Sequence, residues 1–100
     1  MCFCVIASFG DKGTADLYHG IASRPARQFP PEVARTAVRK LDLINAAAAL
    51  QDLRAPPGNR LEALRGDLKG YYSIRVNQQW RLTFRWAGFD AEDVRLVDYH

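Results

Sequence analysis

The sequence predicts an α+β fold, and three observations carry that reading. The middle of the chain repeats apolar residues at helical spacing: Val33, Ala34, Ala37, Val38, Leu41, Ile44 and Ala48. Beyond Ala55-Pro-Pro-Gly-Asn59 the apolar period changes to two. An apolar run rich in strand formers opens the chain. Helices followed by a run of antiparallel strands argue α+β, and 100 residues make one domain spanning 1–100.

Residues 2–9 read as a first strand, and Asp11 as the cap of a short helical stretch holding Leu17, Tyr18 and Ile21. Residues 23–29 (SRPARQF) read as a loop. Pro30-Pro31-Glu32 opens the clearest helix, since proline is tolerated in a first turn and Glu suits the positive end of the dipole. Arg35, Arg39 and Asp42 fall on its wet side. The helix fades over residues 45–50 and continues as a turn to Leu53. After the Pro-Pro-Gly break, strands are expected at 61–64, 71–76, 79–86 and 93–97. The turns between them fall at 66–70, 77–78 and 87–92.

No apolar run approaches the roughly 20 residues needed to span a bilayer. The opening MCFCVIASF lacks a basic start and a small-residue cleavage site, so a cytoplasmic protein is expected. Cys2 and Cys4 point the same way along a strand, too far apart for a comfortable disulfide. His19 and His100 are the other soft ligands in the chain, so free thiols, no metal and no cofactor are expected. The formal net charge is +3. Between Arg54 and Arg85, seven basic side chains stand against Glu62 and Asp67.

Alternation divides the paired strands into two faces. Tyr72, Ile74 and Val76 belong with Trp80, Leu82, Phe84 and Trp86, an apolar set that must cover the helices. Tyr71, Ser73 and Arg75 belong with Arg81, Thr83 and Arg85. Antiparallel sheets often keep one solvated face, and that is the plain reading. Three arginines with no acid in the two central strands favour an anion-binding surface, and planar guanidinium groups suit phosphate. Tyr71 offers a ring on which a base can stack.

The chain finishes Val97-Asp98-Tyr99-His100. A C-terminal His is commonly a solvated residue. Placed beside the arginines, Asp98, Tyr99 and His100 would complete a set for metal-free phosphodiester cleavage. RNA supplies its own 2′-hydroxyl nucleophile, so protein groups need only move protons and hold charge.

The stretch LEALRGDLKGYYSIRVNQQWRLTFRW with the final DYH resembles the HigB-type toxins of the RelE superfamily. SFGDKGTADLYHG and PPGNRLEALRGD fit the same pattern, and the likeness runs from about Ile6 onward. The resemblance implies a RelE-like fold, with N-terminal helices on a small sheet mixed at one edge. It implies the toxin of a type II toxin–antitoxin pair, a ribosome-dependent mRNA endonuclease acting in the A site without metal. The implied partner is a HigA-like helix-turn-helix antitoxin whose complex with the toxin contacts operator DNA. No membrane is involved.

Carried over residue by residue, the resemblance assigns His100 to proton transfer, Tyr99 to stacking or hydrogen bonding, and Asp98 to orientation. Arg81 holds the scissile phosphate and Arg75 shares that work. Arg65 stands where relatives carry Lys, and it completes the catalytic candidates. Arg85, Tyr71 and Lys69 join Arg75 as RNA contacts. Glu62 stands where relatives carry His, either as a general base or as a surface acid paired to Arg60. Cys2 and Cys4 precede the family's usual start. The alternative function is a non-catalytic or weakened RNA- or ribosome-binding module of the same fold. A DNA-binding regulator is disfavoured, because no helix-turn-helix pattern is present.

Overall fold

A computed structural model describes residues 5–98 of the protein. Cys2 and Cys4, expected on the first strand, and Tyr99 and His100, expected in the site, lie outside the described residues.

The elements run α1 (Lys12–Tyr18), α2 (Arg24–Arg27), α3 (Pro31–Ala46), then β1 (Glu62–Ala63), β2 (Tyr71–Arg75), β3 (Trp80–Ala87) and β4 (Asp90–Asp98). The four strands form an antiparallel sheet in the order β1-β2-β3-β4. Short 3₁₀ turns at Leu50–Arg54, Pro57–Asn59 and Gly66–Leu68 fill the connections. Among the described residues, no helix is long and apolar enough to cross a membrane.

Asp11 caps α1 as expected, accepting a hydrogen bond from the Thr14 amide at 2.7 Å. The expected loop at 23–29 instead contains α2. Ser23 caps it through its hydroxyl and Pro25 sits in the first turn, two local signals strong enough to wind four residues. Helix α3 buries Val33, Ala37, Leu41 and Ile44, spaced at four, four and three residues. Their side chains meet Ile74, Val76, Leu82, Phe84, Val94 and Leu96 from the sheet in one apolar core. Complete burial of a leucine or isoleucine here stabilises the fold by roughly 1.5–3 kcal/mol.

Of the expected first strand, the described residues form two parallel bridges, Ile6 to Ala91 and Phe9 to Val94, on the outer edge of β4. The Ala7 amide donates to the Ala91 carbonyl, and the Gly10 amide to the Val94 carbonyl, both at 2.8 Å. Further along, the buried Thr14 hydroxyl accepts from the Leu96 amide at 2.9 Å. The edge of β4 is therefore satisfied by the N-terminal segment and α1, and the sheet is mixed at that edge.

Strand β4 begins at Asp90, earlier than the alternation indicates, and it contains a bulge. Thr83 pairs with Arg95 and Arg85 with Glu92, so Asp93 and Val94 together oppose Phe84. Asp93 takes a left-handed conformation with φ of 54°. The extra residue resets the parity, so that Ala91, Val94 and Leu96 all reach the core.

The connection from α3 to β1 is held by Asn59, which is fully buried. Its Nδ2 donates to the carbonyls of Leu53 and Ala55, each at 3.2 Å, and its Oδ1 accepts from the Lys40 ammonium. Asn59→Ala is expected to cost about 3 kcal/mol in urea unfolding, because it strands two carbonyls and a half-buried ammonium. A loss under about 0.5 kcal/mol would show that solvent reaches these groups.

Candidate nucleic-acid interface

The core-facing set of each strand is committed to α3, which leaves Glu62, Ser73, Arg75, Arg81, Thr83, Arg95 and Val97 on the opposite face. Strand register orders them into rows. Glu62 opposes Ser73, Ser73 opposes Thr83, and Thr83 opposes Arg95. In the next row Arg75 opposes Arg81, which opposes Val97.

Arg81 lies across this arrangement. Its Nη1 donates to the hydroxyl of the buried Ser73 at 3.0 Å, and its Nη2 reaches the Glu62 carboxylate at 3.4 Å. The Arg81 side chain is only 19% exposed, so its guanidinium is held rather than waving in solvent. Arg75, directly across the strand pair, donates from Nε to the Asn77 carbonyl at 3.1 Å. Two guanidinium groups in opposed positions repel, and a bound anion relieves that cost.

Leu64, Leu68, Ser73, Arg81, Thr83, Val97 and Asp98 line a groove of about 230 Å³ at this point. Ligand pockets for drug-sized molecules start near 300 Å³, so the groove suits one phosphate or one base. The half-exposed Leu68 and its neighbour Leu64 form the apolar wall. Larger grooves lie elsewhere, between Leu50 and Tyr72 and between Thr36 and Val76, on the side of the helices. Arg65 and Lys69 are exposed and flank the Gly66–Leu68 turn that carries this wall.

The other expected residues separate into a second cluster. Arg85 opposes Tyr71 four residues along the strands, roughly 13 Å from the Arg75–Arg81 row. Arg85 is ion-paired with Glu92, and that carboxylate holds its guanidinium charged beyond the usual range. The Tyr71 hydroxyl donates to Asp93 at 2.8 Å, and Arg95 donates to the same carboxylate at 3.2 Å. The Tyr71 hydrogen bond, with Arg95 beside it, holds the Asp93 carboxyl below its ordinary range. The same bond raises the Tyr71 phenol. Tyr71 and Arg85 thus share the face with Arg81 but not its groove.

Asp98 ends β4 opposite Trp80, where alternation sets it on the core side rather than beside Arg81. Its carboxylate accepts from the Gln79 side-chain amide at 2.9 Å, and it borders the end of the groove. Glu62 is not paired to Arg60 as the surface reading expected: register places it against Ser73 and its carboxylate on Arg81.

The charge of the sheet also differs from the expectation. From Glu62 onward six basic side chains meet six acidic ones, so the formal net charge of +3 belongs to the preceding 61 residues. The acids that answer the arginines come from the flanking strands β1 and β4. Arg95 was not singled out in the sequence, although it alternates with Val94 and Leu96 inside the expected 93–97 strand; that alternation is the signal that marks it. Among the described residues, no cluster of three or more His, Cys, Asp or Glu is placed to hold a metal.

Solved structures with this architecture define the class. The chain superposes on the YoeB–YefM complex from Staphylococcus aureus with a TM-score of 0.52 and 18% identity, covering 95% of this chain and 97% of the other. A YoeB/ParE toxin from Agrobacterium tumefaciens gives a TM-score of 0.52 at 17% identity, covering 93% and 98%. These likenesses establish a RelE-like α+β fold. The sequence then places the chain within that class. The family model described as "RelE-like toxin of type II toxin-antitoxin system HigB" matches residues 7–100, and the chain belongs to that HigB-like toxin family. It is 46% identical over 79 residues to Toxin HigB-1 of Vibrio cholerae, covering 79% of this chain and 81% of that one. It is 44% identical over 41 residues to a Proteus vulgaris protein named Endoribonuclease HigB, covering 41% and 45%.

The Tyr71–Asp93 bond generates a pH prediction. A carboxylate with a depressed folded-state pKa contributes stability above its unfolded value of about 3.9, and loses it as pH falls through the folded value. Tyr71→Phe is therefore expected to be less stable than wild type at pH 7, with the deficit shrinking below about pH 4. Urea unfolding across that range measures it. A deficit independent of pH would assign the loss to packing instead.

Proposed function

We propose that this chain is an endoribonuclease, the toxin of a type II toxin–antitoxin pair, and that it cuts mRNA on the ribosome and so halts translation. The observation that carries this reading is the guanidinium of Arg81, fixed on Ser73 at the floor of a groove sized for one phosphate. Family membership and the name of the Proteus vulgaris relative support it.

In this reading Arg81 and Arg75 bind the scissile phosphate and stabilise the charge that builds on the phosphorane. Arg65 and Lys69 draw the strand in from the turn beside the groove. The 2′-hydroxyl attacks the phosphorus, the bond to the 5′-oxygen breaks, and a 2′,3′-cyclic phosphate and a free 5′-hydroxyl result. No metal is required. Asp98 orients the end of β4, Tyr99 packs on or bonds to the RNA, and His100 protonates the departing 5′-oxygen. The partner is a HigA-like helix-turn-helix antitoxin, through which the complex reaches DNA, and the protein works in the cytoplasm.

Primer extension on mRNA programmed into purified ribosomes, with naked mRNA alongside, tests the proposal. Cuts are expected only on ribosomes. Arg81→Ala is expected to lower cleavage by about a hundredfold or more, as loss of a charge-stabilising donor does. Arg85→Ala is expected to stay within about threefold, a change under 1 kcal/mol, because Glu92 already engages it. Equal losses for the two variants would mean that total charge, not the groove, governs activity.

A further inference from the structure

We propose that a cationic surface around Pro56 and Pro57, on the helix side of the sheet, is the docking site for an acidic amphipathic segment of the antitoxin. The inference rests on the toxin–antitoxin reading above and names the surface that meets that partner.

Two open grooves flank the pair of prolines. One, of about 510 Å³, follows α3 and is lined by Leu43, Pro56 and Val76 together with Arg39 and Lys40. The other, of about 540 Å³, reaches the first strand pair. Leu50, Pro57, Leu61 and Tyr72 line it together with Arg54 and Arg60. Both fall within the size range of clefts that bury a ligand.

The charge of this surface is unanswered. No Asp or Glu lines either groove. None of the four cations makes an ion pair with a described residue. Lys40 donates to the neutral amide oxygen of the buried Asn59. Burial and the neighbouring Arg39 hold its ammonium below the ordinary lysine range, and an incoming carboxylate would offset both effects. The carboxylates of Asp42 and Asp52 are turned to other groups, the Tyr18 hydroxyl and the amides of Ala48 and Ala49. The formal net charge of +3 falls in the first 61 residues, and these four cations belong to them.

The apolar walls choose between polyanions. A nucleic-acid backbone pairs with cations but buries nothing against Leu43, Pro56 or Leu61. Leu43 is 39% exposed, an apolar side chain left on the outer side of α3. An acidic segment with apolar anchors satisfies the walls and the cations together. Parity sets the surface apart from the Arg81 groove. Tyr72 pairs with Ala63 and both turn to the helix side, whereas their neighbours Glu62 and Ser73 contact Arg81.

The test measures association and dissociation of the full chain with its purified antitoxin. Arg39→Glu with Arg54→Glu reverses one exposed charge in each groove. This double variant is expected to bind about a hundredfold more weakly, chiefly through slower association with a reduced salt dependence. Leu43→Ser removes an apolar wall without changing charge, and is expected to weaken binding about tenfold through faster dissociation. Arg24→Glu with Arg27→Glu, an equal charge change on exposed positions of α2, is expected to bind like wild type. All these positions are exposed, so melting temperatures are expected to hold. Cleavage of ribosome-programmed mRNA by each free variant is expected to stay within about threefold of wild type. Wild-type affinity in the double variant, or an equal loss in the α2 control, would overturn the assignment. Unchanged affinity in Leu43→Ser would leave a purely electrostatic contact and overturn it as well. A double variant that loses ribosome-dependent cleavage but keeps its antitoxin would make this face an RNA contact, which also overturns it. No binding of wild type to the antitoxin would overturn the toxin–antitoxin reading, and this assignment with it.

Discussion

Helix α3 needs an apolar sheet face, and meeting that need disposes of every second residue in β2 and β3. Leu41 and Ile44 of the helix are fully buried, and so are Ile74, Leu82 and Phe84 beneath them. A slip of one residue in either strand would exchange this set for Ser73, Arg75, Arg81 and Arg85. The energetic demand for a dry inner face therefore fixes which residues are displayed outside. The arginines of the site are held in register by the core behind them, not by one another.

The outer face is not a uniform basic plate. Two ionic groupings divide it along the strands. At one end Arg85–Glu92 and Tyr71–Asp93–Arg95 are closed pairs that knit β2, β3 and β4 together. At the other end Arg81 and Arg75 stand opposed, and Glu62 makes a long contact to Arg81. An ion pair of this length, half exposed on the Glu62 side, contributes little stability. The two ends of the outer face thus carry separate networks, one around Arg85 and Tyr71 and one joining Arg81 to Ser73 and Glu62.

Much of this was legible in the sequence. The helical spacing of Val33, Ala37, Leu41 and Ile44, the Pro-Pro-Gly break and the alternation from Tyr71 to Trp86 are local patterns, and each matches an element of the structure. The Arg81 position followed from parity alone. The rest required contacts between segments far apart in sequence. No local pattern announces that Glu62 turns toward Arg81 rather than Arg60, because a two-residue strand carries no period of its own. The bulge at Asp93 resets the parity of β4, so that Ala91 joins Val94 and Leu96 in the core although strict alternation would turn it outward. The balance of charge on the sheet depends on acids from β1 and β4, which a tally from Arg54 to Arg85 cannot weigh.

The central claim is that the groove around Arg81 receives a backbone phosphate. Its most direct measurement is NMR of the arginine side-chain Nε–Hε groups during titration with a short RNA carrying 2′-O-methyl riboses, which binds without being cut. The Arg81 resonance is expected to shift strongly and that of Arg75 to follow, while Arg85 stays in place on Glu92. Uniform small shifts across all three arginines, or a shift at Arg85 with none at Arg81, would contradict the account.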